Sequence, residues 1–280
     1  MQINIRFYHS DKCTSQFSTM LRTAALLTIL VAGAIEGRTV RRIPIFRDNR
    51  IINGVDAEAG EYPSQLSLQR PTSHSCGASV LNENWALTAA HCVDGASTSS
   101  ITFWAGTIYL DNGGTRHRVE KIVVHEGYDE GDSWKNDIAV VAVLDPFKID
   151  GVNVTPIALP ARGQNPEDGA AVTVIGWGRL QQNGPIPNTL QKVDLAVVNQ
   201  QKCNDVYTEF GYPIYDGHIC ADVPEGNQGS CNGDSGGPLF VNGTVVGLVS
   251  WAYGCAVKGY PTVYTRVPAY RDWIRNQTGV

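Results

Sequence analysis

Three stretches of this sequence carry side chains that could take part in nucleophilic chemistry. His91 lies beside Cys92 in WALTAAHC, Asp137 begins the apolar run DIAVVAVL, and Ser235 lies in the glycine-rich segment GNQGSCNGDSGGPLF. An imidazole, a carboxylate and a hydroxyl are groups from which an activated nucleophile is assembled. Each residue alone has an ordinary alternative: a histidine packed beside a disulfide, an aspartate that caps a strand, and a serine in a turn.

The glycine-rich segment, residues 226–240, contains five glycines ahead of an apolar run. Glycine inside a strand or helix costs roughly 0.5–1 kcal/mol relative to alanine, so this composition disfavours the interior of either element. We therefore expect a loop in which the backbone itself must be exposed and unusually bent around Ser235.

The elements that must position these residues have the pattern of short β-strands. Runs rich in Val, Ile, Thr, Trp and Tyr recur from residue 64, separated by turn signals such as DNGG, NGPIPN and VNGT. Such a pattern favours a sandwich or barrels over a parallel sheet. One late segment, VPAYRDWIRNQ, spaces Tyr270, Trp273 and Ile274 at i, i+3 and i+4, which predicts a C-terminal amphipathic helix. The predicted strand runs are SQLSLQ, SVLNENWALTA, ITFWAGTIYL, HRVEKIVVH, DIAVVAVL, AAVTVIGWG, LQKVDLAVV, TVVGLVSWA and PTVYTRV.

The beginning of the 280-residue chain predicts export. The uncharged run AALLTILVAGAI, residues 24–35, is too short to span a membrane comfortably. Arg22 precedes it, and Ala32-Gly33-Ala34 provides the small-x-small pattern of a signal-peptide cleavage site. We interpret residues 1–34 as a leader with a signal peptide, and expect Met20 to be its true start. A buried N-terminal helix is the alternative.

The charge balance changes at residue 50. The first 50 residues hold eight of the 22 Lys and Arg residues and three of the 27 Asp and Glu residues, which leaves 14 basic and 24 acidic residues in 51–280. An acidic domain is a poor partner for nucleic acid and is favourable for solubility. We therefore expect a short basic segment at 35–50, followed by an acidic domain that binds no nucleic acid.

Six cysteines remain once Cys13 is assigned to the leader, and an even number is typical of a disulfide set in an exported protein. Six cysteines allow fifteen pairings. Zinc binding is the alternative, but the chain contains no CxxC pair and no histidine at ligand spacing. We expect no metal. The six residues are Cys76, Cys92, Cys203, Cys220, Cys231 and Cys255.

The stretches TAAHC, DIAVV and GDSGGP occur in the order His, Asp, Ser, and together they resemble the chymotrypsin-like (trypsin-fold) serine peptidases. IING, GWG, SWAYGC and PTVYTRV match the same family, so the resemblance covers essentially all of residues 51–280. It implies an all-β fold of two six-stranded antiparallel barrels, with the active site in the cleft between them. It further implies a secreted, extracellular, monomeric endopeptidase that acts on protein or peptide substrates and needs no cofactor.

The resemblance also assigns roles to individual residues. It implies a catalytic triad in which His91 accepts the proton of the Ser235 hydroxyl and Asp137 orients the imidazole. The backbone N–H groups of Gly233 and Ser235 would bind the oxyanion of the intermediate. Ser250 resembles the family serine that hydrogen-bonds the catalytic aspartate. The implied disulfides are Cys76–Cys92, Cys203–Cys220 and Cys231–Cys255.

Activation is implied by the sequence IINGVDAEAGEYP, before which zymogens of this family are cut. Cleavage after Arg50 by a trypsin-like protease would free the α-amino group of Ile51, which would pair with Asp234. A buried ion pair must be complete, so the uncut chain would leave the oxyanion hole malformed. Arg38 and Arg42 are alternative cleavage positions, but neither leaves the family's N-terminal sequence.

The primary specificity pocket is where the resemblance is least uniform. Its base corresponds to Gly229, six residues before Ser235, whereas trypsin-like members carry an aspartate there. Its walls correspond to Ala252, which follows Trp251, and to Thr262. Chymotrypsins generally keep glycine at both wall positions, and elastase-like members place larger side chains there. We therefore expect an uncharged, shortened pocket for apolar residues, with aromatic specificity as the close alternative.

Two other functions remain open on the sequence. A trypsin-like processing protease is opposed by Gly229, and a non-catalytic homologue that acts as a binding or cofactor protein is opposed by the complete triad. Protein protease inhibitors are further candidate partners. Sequons at Asn153, Asn242 and Asn276 predict glycosylation, although such short motifs often occur by chance.

Overall fold

The computed structural model describes residues 49–71 and 73–280, with side chains from Ile52 onward. The leader, the alternative cleavage positions Arg38 and Arg42, and the side chains of Arg50 and Ile51 lie outside the described residues. No helix in the described part of the chain has the length and apolar composition needed to cross a membrane.

The described residues form fifteen strands and two α-helices, with 3₁₀ turns at Ala90–Cys92, Thr98–Ser100 and Val267–Tyr270. The strands are β1 (Asn49–Ile52), β2 (Val55–Asp56), β3 (Gln65–Arg70), β4 (Ser73–Asn82), β5 (Trp85–Thr88), β6 (Thr102–Ala105), β7 (Thr115–Val124), β8 (Ala139–Val143), β9 (Ala171–Gly176), β10 (Gln191–Val198), β11 (His218–Asp222), β12 (Gly229–Cys231), β13 (Pro238–Val241), β14 (Thr244–Trp251) and β15 (Thr262–Arg266). The helices are α1 (Gln200–Thr208) and α2 (Arg271–Thr278).

Six strands close the first barrel in the order β3-β4-β5-β8-β7-β6. Strand β8 is buried along its whole length because successive side chains of a strand point to opposite faces, and both faces are covered. Val141 and Val143 belong to the barrel interior, whereas Val140 belongs to a second apolar cluster outside it. This explains why the sequence of β8 is continuously apolar rather than alternating.

The second barrel is formed by β9, β10, β11, β15, β14 and β13, and the pairing of β10 with both β9 and β11 closes it. The short strand β2 adds to β10, and β1 pairs with β12. The predicted fold of two six-stranded antiparallel barrels is therefore confirmed. The interior residues include Val172, Val174, Leu195, Ile219, Leu239, Val249 and Tyr264.

The second apolar cluster, which contains Val140, joins the two barrels to the C-terminal helix. It combines Leu87 of the first barrel and Leu248 of the second with Trp273 and Ile274 of α2. The helix buries Trp273 and Ile274, whereas Tyr270, the first residue of the predicted spacing, is buried in the 3₁₀ turn before it. The helix is capped by Gly279, whose φ of +79° is the left-handed conformation common at helix C-termini. The C-terminal helix is therefore confirmed.

Several local elements differ from the sequence predictions. Strand β11 lies in none of the predicted runs, and β12 lies inside the glycine-rich segment that was predicted to be a loop. The strand predicted over ITFWAGTIYL extends only over β6, because Gly106 follows with a φ of +77° and turns the chain away. Helix α1 was not predicted, since it buries only Cys203 and Tyr207 and has little apolar periodicity. The feature of the sequence that indicates α1 is Asn199, whose side chain caps the helix by accepting a hydrogen bond from the N–H of Lys202 at 3.0 Å.

Three disulfides brace these elements, and they are the pairs that the family resemblance implied. Cys76–Cys92 joins β4 to the 3₁₀ turn after β5, and Cys203–Cys220 joins α1 to β11. Cys231–Cys255 joins β12 to the segment that follows β14. The first and third bonds thus lie at the two loops that carry the candidate histidine and serine.

Candidate active site

His91 and Asp137 are brought together by the pairing of β5 with β8. Thr88, at the end of β5, is opposite Ala139 at the start of β8, so the residues just beyond these ends are neighbours. The backbone N–H of His91 donates to Oδ1 of Asp137 at 2.9 Å, and its Nδ1 donates to Oδ2 at 2.7 Å. An ionised carboxylate only accepts hydrogen bonds, so Nδ1 carries a proton and neutral His91 has its lone pair on Nε2.

Asp137 is fully buried yet remains charged. Burial raises the pKa of this carboxyl, but the charge of His91 and hydrogen bonds from His91 and Ser250 outweigh burial, so its pKa lies below the ordinary value. Ser250 Oγ donates to Oδ2 at 2.6 Å, and Thr265 Oγ1 donates to the main-chain oxygen of Asp137 at 2.6 Å. Both partners come from the second barrel, which therefore helps to fix a carboxylate of the first.

Ser235 lies between β12 and β13, a strand of the second barrel, and it lines the same cleft of about 360 Å³ as His91. The Sγ atom of Cys92 lies 3.7 Å from Nε2 of His91 and 3.5 Å from the main-chain oxygen of Ser235. The cleft is thus lined by His91, which follows a strand of the first barrel, and by Ser235, which precedes a strand of the second.

The glycines around Ser235 are required by close contact between the barrels. The N–H of Gly77 donates to the main-chain oxygen of Ser235 at 2.8 Å, and the N–H of Gly236 donates to Val249 at 2.8 Å. Gly236 has a φ of +75°, and a Cβ atom there would overlap Thr88 Oγ1. A side chain at position 236 would therefore push the nucleophile loop away from the first barrel.

His74 of β4 holds the main chain next to the nucleophile, and sequence reasoning missed it. Its Nε2 donates to the main-chain oxygen of Gly233 at 2.8 Å, and its Nδ1 accepts from Ser67 Oγ at 2.8 Å. Burial is the main cause that lowers the pKa of His74 to about 4, so the ring is neutral at physiological pH. The sequence feature that could have indicated a role for His74 is its position two residues before Cys76, the partner of Cys92.

Asp234 is the second fully buried aspartate of the site. Its Oδ1 accepts from the N–H of Gly178 and its Oδ2 from the N–H of Cys231, both at 2.8 Å. A Cβ atom at Gly176 or Gly178 would overlap this carboxylate. The two glycines of GWG therefore provide the space that Asp234 occupies.

Of the predicted pocket residues, Gly229, Ala252 and Thr262 lie together but do not line the 360 Å³ cleft. Ser230, next to Gly229, has its Oγ 3.4 Å from Thr262 Oγ1, and Ala252 follows Trp251, which pairs with Val263. Ala252 is 2% and Thr262 4% exposed. The cleft reaches Ser250 and Trp251. In this form of the chain, the three positions at the predicted base and walls are covered.

One group of residues in the described chain has metal-ligand spacing. The donor atoms of Cys76, His91 and Cys92 lie within 4.8 Å of one another. The two sulfur atoms are bonded to each other, so neither is the thiolate that would bind a metal.

Comparisons with known proteins agree with this geometry. The family model described as Trypsin matches residues 51–274. Similar curated proteins include Trypsin Blo t 3 of Blomia tropicalis, 40% identical over 83% of this chain and 87% of that protein, and Trypsin-1 of Astacus astacus, 43% identical over 80% and 98%. Trypsin beta of Drosophila erecta is 39% identical over 92% of this chain and 99% of its own length. With its two barrels and the His91–Asp137 pair beside Ser235, the chain belongs to the trypsin family of serine endopeptidases.

Proposed function

We propose that the protein is a secreted endopeptidase in which Ser235 is the nucleophile, His91 the general base and acid, and Asp137 the residue that orients the imidazole. The observation that carries this proposal is the 2.7 Å hydrogen bond from Nδ1 of His91 to the buried carboxylate of Asp137, in a cleft that Ser235 shares. No observation favours the alternative of a non-catalytic binding protein.

The proposed reaction follows from the tautomer of His91. Because Nδ1 donates to Asp137, Nε2 accepts the proton of Ser235 as Oγ attacks the carbonyl carbon of the substrate. The same proton then passes from Nε2 to the departing amine, and the acyl group remains as an ester on Ser235. A water molecule gives its proton to Nε2 and attacks the ester, which releases the acid and restores the hydroxyl.

The N–H groups of Gly233 and Ser235 are proposed as the oxyanion hole. In a trans peptide the N–H points opposite to the C=O, so a hydrogen bond that holds the carbonyl also directs the N–H. The carbonyl of Asn232 accepts from the N–H of Arg179 at 2.9 Å, and that of Asp234 accepts from Gly237 at 2.8 Å. These bonds restrain both peptide groups, which supports their role as oxyanion donors once cleavage after Arg50 has completed the loop.

We propose that the enzyme cleaves after uncharged apolar residues, like chymotrypsins and elastases. The relatives above are named trypsins, but position 229 of this chain is glycine and offers no counter-ion to a Lys or Arg side chain. A buried cation without a partner costs several kcal/mol. Ala252 and Thr262 reduce the volume available to an aromatic ring, which favours Leu, Met, Val and Ala.

Activation by cleavage after Arg50 is proposed from the position of β1. This strand pairs with β12 in a register that puts Asn49 opposite Cys231 and Ile52 opposite Gly229. The bond to be cut therefore lies beside the strand whose last residue donates to Asp234. A new α-amino group at Ile51 would be released beside β12, the strand that leads into the loop of Asp234. A signal peptide, a zymogen form and secretion are typical of the family and agree with the leader expected at residues 1–34.

Cleavage by a trypsin-like protease tests the activation step. The treated protein should begin at Ile51 and gain activity, whereas Arg50→Gln should block both changes. An Arg50→Gln protein as active as the processed wild type would show that pairing with Asp234 is not the switch.

Peptides that differ only in the residue before the scissile bond test the specificity. The processed wild type should have a higher kcat/KM for Leu or Met than for Phe, and Lys or Arg should be the poorest. The Ala252→Gly/Thr262→Gly variant should gain selectively on Phe and Tyr. Gly229→Asp should gain on Lys and Arg because it supplies the missing counter-ion, and circular dichroism is its control for folding because Gly229 has a φ of +157° that an L residue rarely adopts.

Two results would contradict this specificity. A wild type that prefers Tyr or Phe tenfold over Leu would exclude the shortened pocket. A wild type that cleaves best after Lys or Arg would exclude the uncharged one. Neither result would affect the assignment of the catalytic residues.

A further inference from the structure

The active-site cleft has a charge opposite to that of the domain around it. Residues 51–280 carry 14 basic and 24 acidic residues. The described residues that line the cleft nevertheless include two arginines, Arg70 and Arg179, and no Asp or Glu. A cation-lined cleft in an acidic protein concentrates the local field on whatever peptide occupies it.

Arg70, at the end of β3, is held by neutral groups. Its Nη2 donates to the main-chain oxygen of Cys92 at 3.2 Å, and its Nε donates to Ser75 Oγ at 3.3 Å. It forms no salt bridge with any other residue that the structure describes, and its side chain is exposed. Its charge is therefore fixed beside the Cys76–Cys92 disulfide, and no carboxylate of residues 52–71 or 73–280 forms a salt bridge with it.

Arg179, directly after GWG, is held in the same manner. Its Nη1 donates to the main-chain oxygen of Gly184 at 2.8 Å, and its backbone N–H donates to Asn232. It too has no salt-bridge partner among the described residues. Asn232 precedes Gly233, whose carbonyl is bound by His74 of β4, so Arg179 lies where the nucleophile loop meets the β4 side of the cleft.

The position of the two arginines relative to His91 and to the predicted pocket determines which part of a substrate they contact. The predicted pocket, formed by Gly229, Ala252 and Thr262, takes the side chain before the scissile bond. The leaving amine must lie at Nε2 of His91, and Cys92 Sγ is 3.7 Å from that atom. The part of the substrate after the scissile bond therefore runs past the Cys76–Cys92 disulfide, toward Arg70 and Arg179.

We propose that Arg70 and Arg179 select substrates with Asp or Glu among the first residues after the scissile bond. This inference rests on the proposed function, because it concerns the same cleft and the same reaction. Each arginine presents N–H groups that match a carboxylate, and the guanidinium stays charged at any physiological pH. Since both side chains are partly in contact with solvent, each contact should have a modest effect that depends on salt.

Matched peptides test this selection. They are identical up to the scissile bond and continue with Asp-Glu, Asn-Gln or Lys-Arg. For the processed wild type at low salt, kcat/KM should be about fivefold to tenfold higher for Asp-Glu than for Asn-Gln, and lowest for Lys-Arg. About 0.5 M NaCl should reduce the ratio toward one, because the Debye length is then only a few ångströms.

Variants identify the residues responsible. In Arg70→Gln/Arg179→Gln, the ratio of kcat/KM for Asp-Glu to that for Asn-Gln should fall to about one. Arg70→Lys/Arg179→Lys should keep most of the wild-type ratio because the charge remains. Arg162→Gln is the matched control: it removes one positive charge from an exposed residue that pairs with Asp272 away from the cleft, and it should keep the wild-type ratio.

A small ester with no residue after the scissile bond separates the two proposals. A processed wild type that hydrolyses neither the ester nor the peptides would overturn the proposed function and, with it, this inference. A wild type that hydrolyses the ester but cleaves the three peptides at equal rates would overturn this inference alone. A double Gln variant that hydrolyses the ester and keeps the wild-type ratio would also overturn it.

Discussion

The site contains two fully buried aspartates, Asp137 and Asp234, whose charges are stabilised in different ways. Asp137 is bound mainly by side chains, those of His91 and Ser250, together with one backbone N–H. Asp234 accepts from the backbone N–H groups of Gly178 and Cys231. The first aspartate therefore acts on a ring that can exchange a proton, whereas the second is tied to the main chain that shapes the nucleophile loop.

The histidines near the two aspartates also differ: one is partly exposed at the cleft, and the other is buried and held neutral. His91 lies against the charge of Asp137 and has 13% of its side chain exposed at the cleft. His74 is 7% exposed, and burial keeps it neutral while it binds the carbonyl of Gly233. The comparison indicates that one buried carboxylate serves proton transfer and the other serves the position of the backbone. Substitutions at the two aspartates should therefore lower the activity for different reasons.

Asp137→Asn should have the largest effect. An amide NH₂ directed at Nδ1 of His91 would favour the tautomer with a proton on Nε2, which cannot accept the proton of Ser235. We expect kcat to fall about 10⁴-fold with little change in KM. Steady-state kinetics on the processed protein measure this, with circular dichroism as the control for folding. A loss of less than tenfold in a folded variant would exclude Asp137 from the proposed role.

Asp234→Asn should lower kcat less than Asp137→Asn does, and for a different reason. The variant loses the proposed ion pair with the α-amino group of Ile51. One side-chain oxygen also becomes an NH₂ group that faces the N–H of Gly178 or Cys231, so the loop should shift and misplace an oxyanion donor. Loss of such a donor lowers kcat by about 10²–10³-fold. The pH dependence of the remaining activity should keep the wild-type midpoint, because the His91–Asp137 pair is untouched. A kcat equal to that of the wild type would contradict the assigned role of Asp234.

His74→Gln should have the smallest effect, and it should appear in the pH dependence of stability. The pKa of His74 is about 4 in the folded chain, against 6.5 for an unperturbed histidine. Between these values the unfolded state binds one proton more, so the free energy of unfolding falls as pH decreases from 6.5 to 4. One proton contributes a slope of up to about 1.4 kcal/mol per pH unit.

Denaturant unfolding at several pH values measures that slope. The His74→Gln variant should show a shallower decrease between pH 6.5 and 4, whereas part of the slope should remain because burial also lowers the pKa of His218 to about 4. Equal slopes in the variant and the wild type would mean that His74 is not held neutral in the folded protein.

Much of this architecture could be predicted from the sequence because it follows from local patterns. The apolar runs that became β8, β14 and β15 are rich in β-branched residues, and the spacing of Trp273 and Ile274 gives a helix. The three residues proposed for catalysis, His91, Asp137 and Ser235, could be singled out because each lies in a distinctive stretch. Helix α1 was missed because only two of its residues are buried, at Cys203 and Tyr207.

The rest depends on contacts between segments distant in the chain. The role of His74 comes from Gly233, 159 residues away, and nothing near His74 signals that partner. The glycines of GWG are explained only by the carboxylate of Asp234, which is brought against them by the closure of the second barrel. The charge of the cleft could not be predicted from the sequence either, because Arg70 and Arg179 line the same cleft as Ser235 only in the folded chain.

Mapping the site of a fluorophosphonate adduct tests the central claim most directly. After processing with a trypsin-like protease, the intact protein should gain one adduct, and peptide mass spectrometry should locate it on Ser235. The Ser235→Ala protein should fold, remain unlabelled and lose essentially all peptidase activity. An adduct on another residue, or peptidase activity in Ser235→Ala above about a thousandth of the wild-type kcat, would contradict the account.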